Sequence, residues 1–427
     1  MTNPYISRGP VRTPAMFFGR AHALQEIAAF LRGNQSVSII GPRKIGKTSL
    51  LFHLMRAETW PSVGLDDKNL FVYLDCEVLG EGKHEDIFGQ FAGEMLAALD
   101  TRGLPPEPAL EAALNKPTRL AFESAVRKLN HRGLRVVLIL DEFERLSTNP
   151  NLDVNFFNAL RSAAGRYQLV FLTASARPLI ELTYTGKAQE ILSSPFFNIF
   201  APLFLGLLEK DEARALIHTP SDGRFPSATE DFIYQLVGGH PLTVQVACFH
   251  AWDTATDTAE IERRTMQELH AHFQYYWRNL SPDEQDTLRH TSHAAARALS
   301  DTTMRGVLRD LTQKCLLVLE EGAYRYPSHA WANFVAAQAA PASTSPTSAK
   351  HTGVYSGMHC GVYEVLEPLG RGGMAEVYKG YHPRLDRTVA IKILPASLAA
   401  EEDFRTRFER EARAVAALKH SNVVQIF

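Results

Sequence analysis

An apolar run, Ser36-Val37-Ser38-Ile39-Ile40, leads straight into Gly41-Pro42-Arg43-Lys44-Ile45-Gly46-Lys47-Thr48, and the run Ser49 to Met55 that follows suits a helix. The order strand, G-x-x-x-x-G-K-T, helix predicts a loop that wraps phosphate groups at the end of a strand. Each residue type has a reason. Gly41 and Gly46 permit turns that aim successive backbone N–H groups at phosphate oxygens. Lys47 reaches the β- and γ-phosphates, and the Thr48 hydroxyl is placed to ligate Mg²⁺. A helix beginning near Ser49 adds its positive end to the loop's donors. A nucleoside triphosphate, ATP with Mg²⁺, is the expected ligand.

The 427 residues are enough for two to four domains, each able to bury a core. A formal net charge of −2 gives no global basic field, so bulk electrostatics does not favour nucleic acid or an anionic membrane. The four cysteines, Cys76, Cys248, Cys315 and Cys360, have neither metal-binding spacing nor a disulfide-rich pattern. No charged-then-apolar leader opens the chain, and no apolar run approaches the roughly 18 residues of a membrane span. A cytoplasmic location is expected.

Short, nearly continuous apolar runs are what strands buried on both faces require. Besides Ser36–Ile40 they occur at Leu70–Leu74, at Arg135–Leu140 ending at Asp141, at Gln168–Leu172 ending at Thr173, and from Phe197 to Leu205. The expected fold class is α/β, a parallel sheet with its polar strand ends along one ligand-binding edge. After Leu207 the spacing turns helical, giving a helical lid over residues 208–279. A Ser281 cap ahead of Pro282, a helix at Thr302–Gln313 and a hairpin turning at Glu320-Glu321-Gly322 predict a winged-helix-like region over 280–337. Residues 338–355, rich in Ala, Pro, Ser and Thr, read as a flexible linker, with a separate domain at 356–427.

The apolar strand that runs into Asp141-Glu142-Phe143-Glu144 is the natural second half of the site: Asp141 for Mg²⁺ and Glu142 to polarise the attacking water, with Glu144 as competitor for that role. Thr173-Ala174-Ser175-Ala176-Arg177 ends the next strand, which should lie between the loop strand and the acid strand. Thr173 or Ser175 is expected to sense the γ-phosphate, and Arg177 to offset the charge that spreads in the transition state, with Arg43 and Lys44 as alternative cations.

These features, with Phe17-Phe18-Gly19-Arg20 before the loop and Gly238-Gly239-His240-Pro241 in the lid, resemble the AAA-related ATPases of the signal-transduction type over roughly residues 4–335. The resemblance implies that Gly19 and Arg20 flank the adenine and that His240 and Pro241 read the phosphates, coupling ADP/ATP exchange to lid movement. One departure is visible: the acid usual soon after the Gly-Arg pair is replaced by Ala21-His22-Ala23.

Past the linker, Leu369-Gly370-Arg371-Gly372-Gly373-Met374-Ala375-Glu376-Val377 and Val389-Ala390-Ile391-Lys392, followed by Phe408-Glu409-Arg410-Glu411, resemble the first part of a bacterial serine/threonine protein kinase of eukaryotic type. The resemblance implies an α+β kinase N-lobe in which Gly370, Gly372 and Val377 cover a nucleotide and Lys392 pairs with Glu411. The sequence to Phe427 contains no His-Arg-Asp or Asp-Phe-Gly motif, so a truncated kinase lobe, silent as a kinase by itself, is expected at the end of an ATPase–kinase fusion. The leading expectation is thus an ATP-hydrolysing signalling switch. The alternatives are a serine/threonine kinase if the product continues, or a nucleotide-gated scaffold or DNA-binding regulator with little turnover. A protein partner or self-association is expected. The acidic Glu320-Glu321-Gly322 turn argues against DNA.

Overall fold

A computed structural model describes residues 3–6, 8–179, 195–254, 257–291, 302–339, 358–360, 363–371, 376–382 and 387–393. The chain divides into two compact units, Met1–Ala340 and Pro341–Phe427.

The first unit is built on five parallel strands: β1 (Ser36–Ile40), β2 (Asn69–Asp75), β3 (Arg135–Asp141), β4 (Leu169–Ser175) and β5 (Phe200–Phe204). Their spatial order is β2-β3-β4-β1-β5, every adjacent pair parallel. As expected from the apolar runs, both faces are buried, and alternate residues of one strand feed different cores. Val136, Leu138 and Leu140 of β3 pack with helices His84–Thr101, Arg119–His131 and Val154–Arg166. Val137 and Ile139 pack on the other face with Ala21–Arg32 and the loop helix Lys47–Leu54. A continuous apolar strand satisfies both layers at once, which is why its sequence does not alternate. β4 lies between β3 and β1, the position the sequence assigns it.

Two boundaries differ from expectation. β4 continues to Ser175, so Thr173 is an interior strand residue paired in register with Ser38 and Leu140. The run from Phe197 is a 3₁₀ turn, Pro195–Ile199, before a shorter β5. Its phenylalanines pack against Phe157 and Phe171, so their apolar character reflects core packing and not a longer strand.

Beyond the sheet, helices Lys210–Ser221, Ser227–Val237, Pro241–Thr254 and Thr258–Arg278 share a third core. It also takes up Tyr5, whose hydroxyl donates to the Ile217 carbonyl. Ser281 caps Pro282–Arg289 in a reciprocal box with Glu284, satisfying two otherwise orphaned N–H groups. Helix Thr302–Gln313 precedes the hairpin β6 (Val318–Glu320) and β7 (Ala323–Arg325). Its two turn residues, Glu321 and Gly322, both have positive φ, as a tight two-residue hairpin turn demands. Helix His329–Ala339 follows. Among the described residues no helix is long and apolar enough to cross a membrane.

The second unit is an antiparallel sheet of β8 (His359–Cys360), β9 (Tyr363–Arg371), β10 (Glu376–His382) and β11 (Arg387–Ile393), in the order β11-β10-β9-β8. Gly380 lies where a Cβ would meet the Ile391 side chain at 2.4 Å, so a larger residue there requires Ile391 to shift.

Candidate functional site

The loop of residues 41–48 is held at its start by the neighbouring strands. Gly41 donates from its backbone to the Ser175 carbonyl (3.1 Å), and a Cβ at this position would lie 2.6 Å from the Leu205 carbonyl oxygen. Gly41 is thus required for close approach. Gly46, by contrast, is required for its left-handed backbone, with φ 99°, and Lys44 accepts the same region at φ 64°. These reversals bring the buried Lys47 ammonium back onto the Gly41 and Pro42 carbonyls at 2.8 and 3.2 Å. Burial lowers the Lys47 pKa, and the nearby Glu142, Glu144 and Asp141 raise it part of the way back.

β3 delivers Asp141 to the same place. The Thr48 hydroxyl donates to Asp141 Oδ2 at 2.7 Å, the Tyr73 hydroxyl donates to the same oxygen at 3.0 Å, and Glu142 N–H donates to Oδ1 at 3.0 Å. The two residues expected at a metal ion, on different elements, are therefore already joined. Tyr73, next to the end of β2, was not singled out by the sequence, where a tyrosine in an apolar strand reads as core.

Glu142 has φ 48°, unusual for a residue with a side chain, and the chain turns sharply here off the end of β3. Its half-buried carboxyl has a raised pKa, first through burial and then through the Glu144 charge. Glu144 is engaged elsewhere: one oxygen accepts from Ala176 N–H, while the other is enclosed without a hydrogen bond.

A cavity of about 420 Å³ runs from Asp75, Asp141 and Glu142 across Lys47 and Thr48 to an apolar end formed by Met16, Phe18, Leu208, Leu216 and Leu242. The stretch 8–12 closes one side: Val11 N–H donates to Ser49 Oγ, and Lys44 donates to the Arg8 carbonyl. A second cavity, about 620 Å³, adjoins the first at Arg43 and Glu142 and is lined also by Glu144 and Arg177.

The remaining sequence-picked residues fall in different places. Arg177 is exposed and lines only the second cavity. Thr173 is fully buried in the sheet and lines neither cavity, because β4 extends two residues past it. Arg20 lines the cavity and Gly19 does not, and the Arg20 guanidinium is committed to the Ile45 and Leu207 carbonyls at 3.0 and 3.3 Å. A carboxylate of helix Lys210–Ser221 meets this pair: Glu212 Oε1 accepts from Arg20 N–H at 2.7 Å, and a Cβ on Gly19 would collide with its carboxylate. Replacing Arg20 by Ala is expected to cost about 3 kcal/mol, the scale for removing one member of a buried charged arrangement, measured by urea unfolding.

Pro241 lines the cavity beside Gly46. His240 does not. Its ring is buried against His272 (centroids 5.6 Å apart), neither ring nitrogen makes a hydrogen bond of normal geometry, and burial, His272 and Arg20 together push its pKa down to about 3. The neighbouring glycines have packing reasons: a Cβ on Gly238 would meet the Pro327 carbonyl at 2.1 Å, and one on Gly239 the Leu208 carbonyl at 2.3 Å. Tyr276 also meets the loop: its hydroxyl donates to the Arg43 carbonyl at 2.7 Å, while the Arg43 guanidinium lies over the Tyr275 ring.

In the second unit Val377 is register-paired with Gly370 on one side and Lys392 on the other. Gly372 and Glu411 lie outside the described residues.

Comparison with known proteins agrees with this geometry. The model of the family described as Novel STAND NTPase 2 matches residues 36–296. The Walker-type ATPase PABY2304 of Pyrococcus abyssi superposes with a TM-score of 0.56 over 78% of this chain and 99% of that one, at 14% identity, a likeness of fold. The serine/threonine-protein kinase PksC of Streptomyces coelicolor is 52% identical over 67 residues, 16% of this chain and 12% of the kinase. Pkn1 of Myxococcus xanthus is 44% identical over 71 residues, 17% of this chain and 10% of the kinase. The chain thus spans about a tenth of the length of these kinases. With a nucleotide-binding loop, an acid strand and a parallel sheet assembled in one cavity, the chain is a P-loop NTPase and belongs to the Novel STAND NTPase 2 family.

Proposed function

We propose that the first unit binds ATP with Mg²⁺, hydrolyses it, and uses the two nucleotide states as a switch. The observation that carries this reading is the direct Thr48–Asp141 hydrogen bond beside Lys47. It puts a hydroxyl and a carboxylate, both hard oxygen donors, within reach of one Mg²⁺ next to the phosphate cradle. Among the described residues no group of three metal-ligating side chains occurs, which suits an ion held mainly by phosphate oxygens and water. When bound, Mg²⁺ neutralises charge on the β- and γ-phosphates. Lys47 does the same from the protein side. Glu142 takes the proton of the attacking water, helped by the raised pKa that burial and Glu144 give it. Arg43, which borders both cavities, and Lys44, which lines the first, are cations near the transferring phosphoryl, with Arg177 in the adjoining cavity. Phosphate release from ATP by the purified chain, abolished by EDTA and restored by Mg²⁺, tests the reading.

In this proposal residues 1–207 form the ATPase core, 208–279 the lid, 280–337 a winged-helix-like region, 338–355 a linker and 356–427 a kinase-like lobe. The switch depends on the lid sensing the loop, and Tyr276 is the contact that supports it. Tyr276→Phe is expected to leave nucleotide affinity within about fivefold, the cost of one neutral hydrogen bond. It should also abolish the nucleotide-dependent change in amide exchange over Pro241–Thr254. Unchanged exchange differences would remove Tyr276 from the coupling path.

A second reading, serine/threonine kinase activity of a longer product, is favoured by the register that sets Gly370, Val377 and Lys392 side by side. It is tested by phosphorylation assays of the full gene product with Lys392→Met.

A further inference from the structure

The apolar end of the 420 Å³ cavity contains one polar side chain with no role in the phosphate chemistry. Gln245 lines this cavity from helix Pro241–Thr254, and it is the only carboxamide to do so among the described residues. It is 6% exposed, and its Oε1 is enclosed without a hydrogen bond. An enclosed amide oxygen lacking a donor is costly, so a protein that keeps one has a use for it or a partner that completes it. Pro241 of the same helix borders the phosphate loop at Gly46. Gln245 stands four residues, about 6 Å of helix, further along. Leu242 on this side, with Leu216 and Leu208 from the lid and Met16 and Phe18 from the N-terminal stretch, makes a slot suited to a flat aromatic base. The phosphate end and the base end are therefore joined by one turn of a single helix.

We infer that Gln245 recognises the adenine amine: its carboxamide, turned toward the cavity, accepts through its oxygen from the exocyclic amine while its amide group donates to the adjacent ring nitrogen. This inference rests on the proposed nucleotide function and refines it. Adenine offers a donor beside an acceptor, the pattern an amide side chain pairs with in a bidentate manner. Guanine presents the reverse pattern, an oxygen beside a ring N–H, which the same carboxamide meets by turning over, so the discriminating ligand is a purine that lacks the amine. A polar site that pairs the amine penalises such a ligand, because its own buried group is then left unpaired.

The test is a fluorescence titration of the purified chain with ATP and purine riboside triphosphate, which has the adenine ring without its amine. The wild type is expected to bind ATP roughly 10- to 100-fold more tightly, the span of one bidentate pair. Gln245→Leu should bind the two alike, at the wild type's affinity for purine riboside triphosphate. An unchanged affinity ratio in Gln245→Leu overturns the inference and leaves the ATPase reading standing. Failure of the wild type to bind any triphosphate overturns both. Should the variant fold poorly, the wild type decides alone: equal affinity for ATP and purine riboside triphosphate overturns the inference.

Discussion

Lys47→Ala is expected to lose ATP binding by about 100-fold or more, read as a shift in the midpoint of a titration with a fluorescent ATP analogue. Charge-assisted hydrogen bonds contribute about 1.5–3 kcal/mol each, and one ammonium that serves two phosphates puts the loss near 3–6 kcal/mol. The fold should survive. The substitution deletes hydrogen bonds to the Gly41 and Pro42 carbonyls, but it also relieves the burial of a cation, and the two effects oppose one another. Because burial sets the Lys47 pKa below that of a free lysine, the ammonium is lost earlier as pH rises. Affinity should therefore decline on the alkaline side sooner than for an exposed lysine, and Lys47→Ala should erase that limb. Unchanged affinity in the variant, with the fold intact, would remove the loop from the nucleotide site.

The elements legible in the sequence were those written in a single local pattern. The loop fits one because Gly46 and Lys47 act through backbone conformation and a fixed spacing. The continuous apolar strands fit one because both sheet faces are covered. The strand order was legible in part, in that β4 could be set between β1 and β3. What escaped depends on residues far apart in the chain. Glu212 caps Arg20 from 192 positions away, and Tyr276 reaches Arg43 from 233. No spacing rule connects such pairs, and only the docking of the lid creates them. Tyr73 and Gln245 escaped for a different reason: a single polar group in an apolar run looks like core until the cavity beside it is visible. His240 and Pro241, paired by the resemblance, part in the structure: the helix that starts at Pro241 presents Pro241 to the cavity while the His240 ring packs against His272. Thr173 shows how a boundary matters, since two further strand residues set it in the sheet interior and not at the sheet edge.

Glu142→Gln should separate binding from chemistry. The amide keeps the size of the side chain and leaves the Thr48–Asp141 pair untouched, so ATP should bind within about threefold of wild type, less than the cost of a typical net hydrogen bond. Turnover should fall by about 10²–10⁴-fold, the contribution of a positioned general base. Glu144 is the control that distinguishes the two acids. It accepts from Ala176 N–H and raises the pKa of Glu142 by charge repulsion, so its effect on the reaction runs through Glu142. The active form of Glu142 is the carboxylate, and its raised pKa places the acid limb of the pH–rate profile above that of an ordinary glutamate. Removing the Glu144 charge lowers that pKa, so Glu144→Gln should move the acid limb to lower pH. Turnover near neutral pH should change little. Loss of turnover in Glu144→Gln with retention in Glu142→Gln would reverse the assignment, making Glu144 the base and Glu142 the neighbour that tunes it.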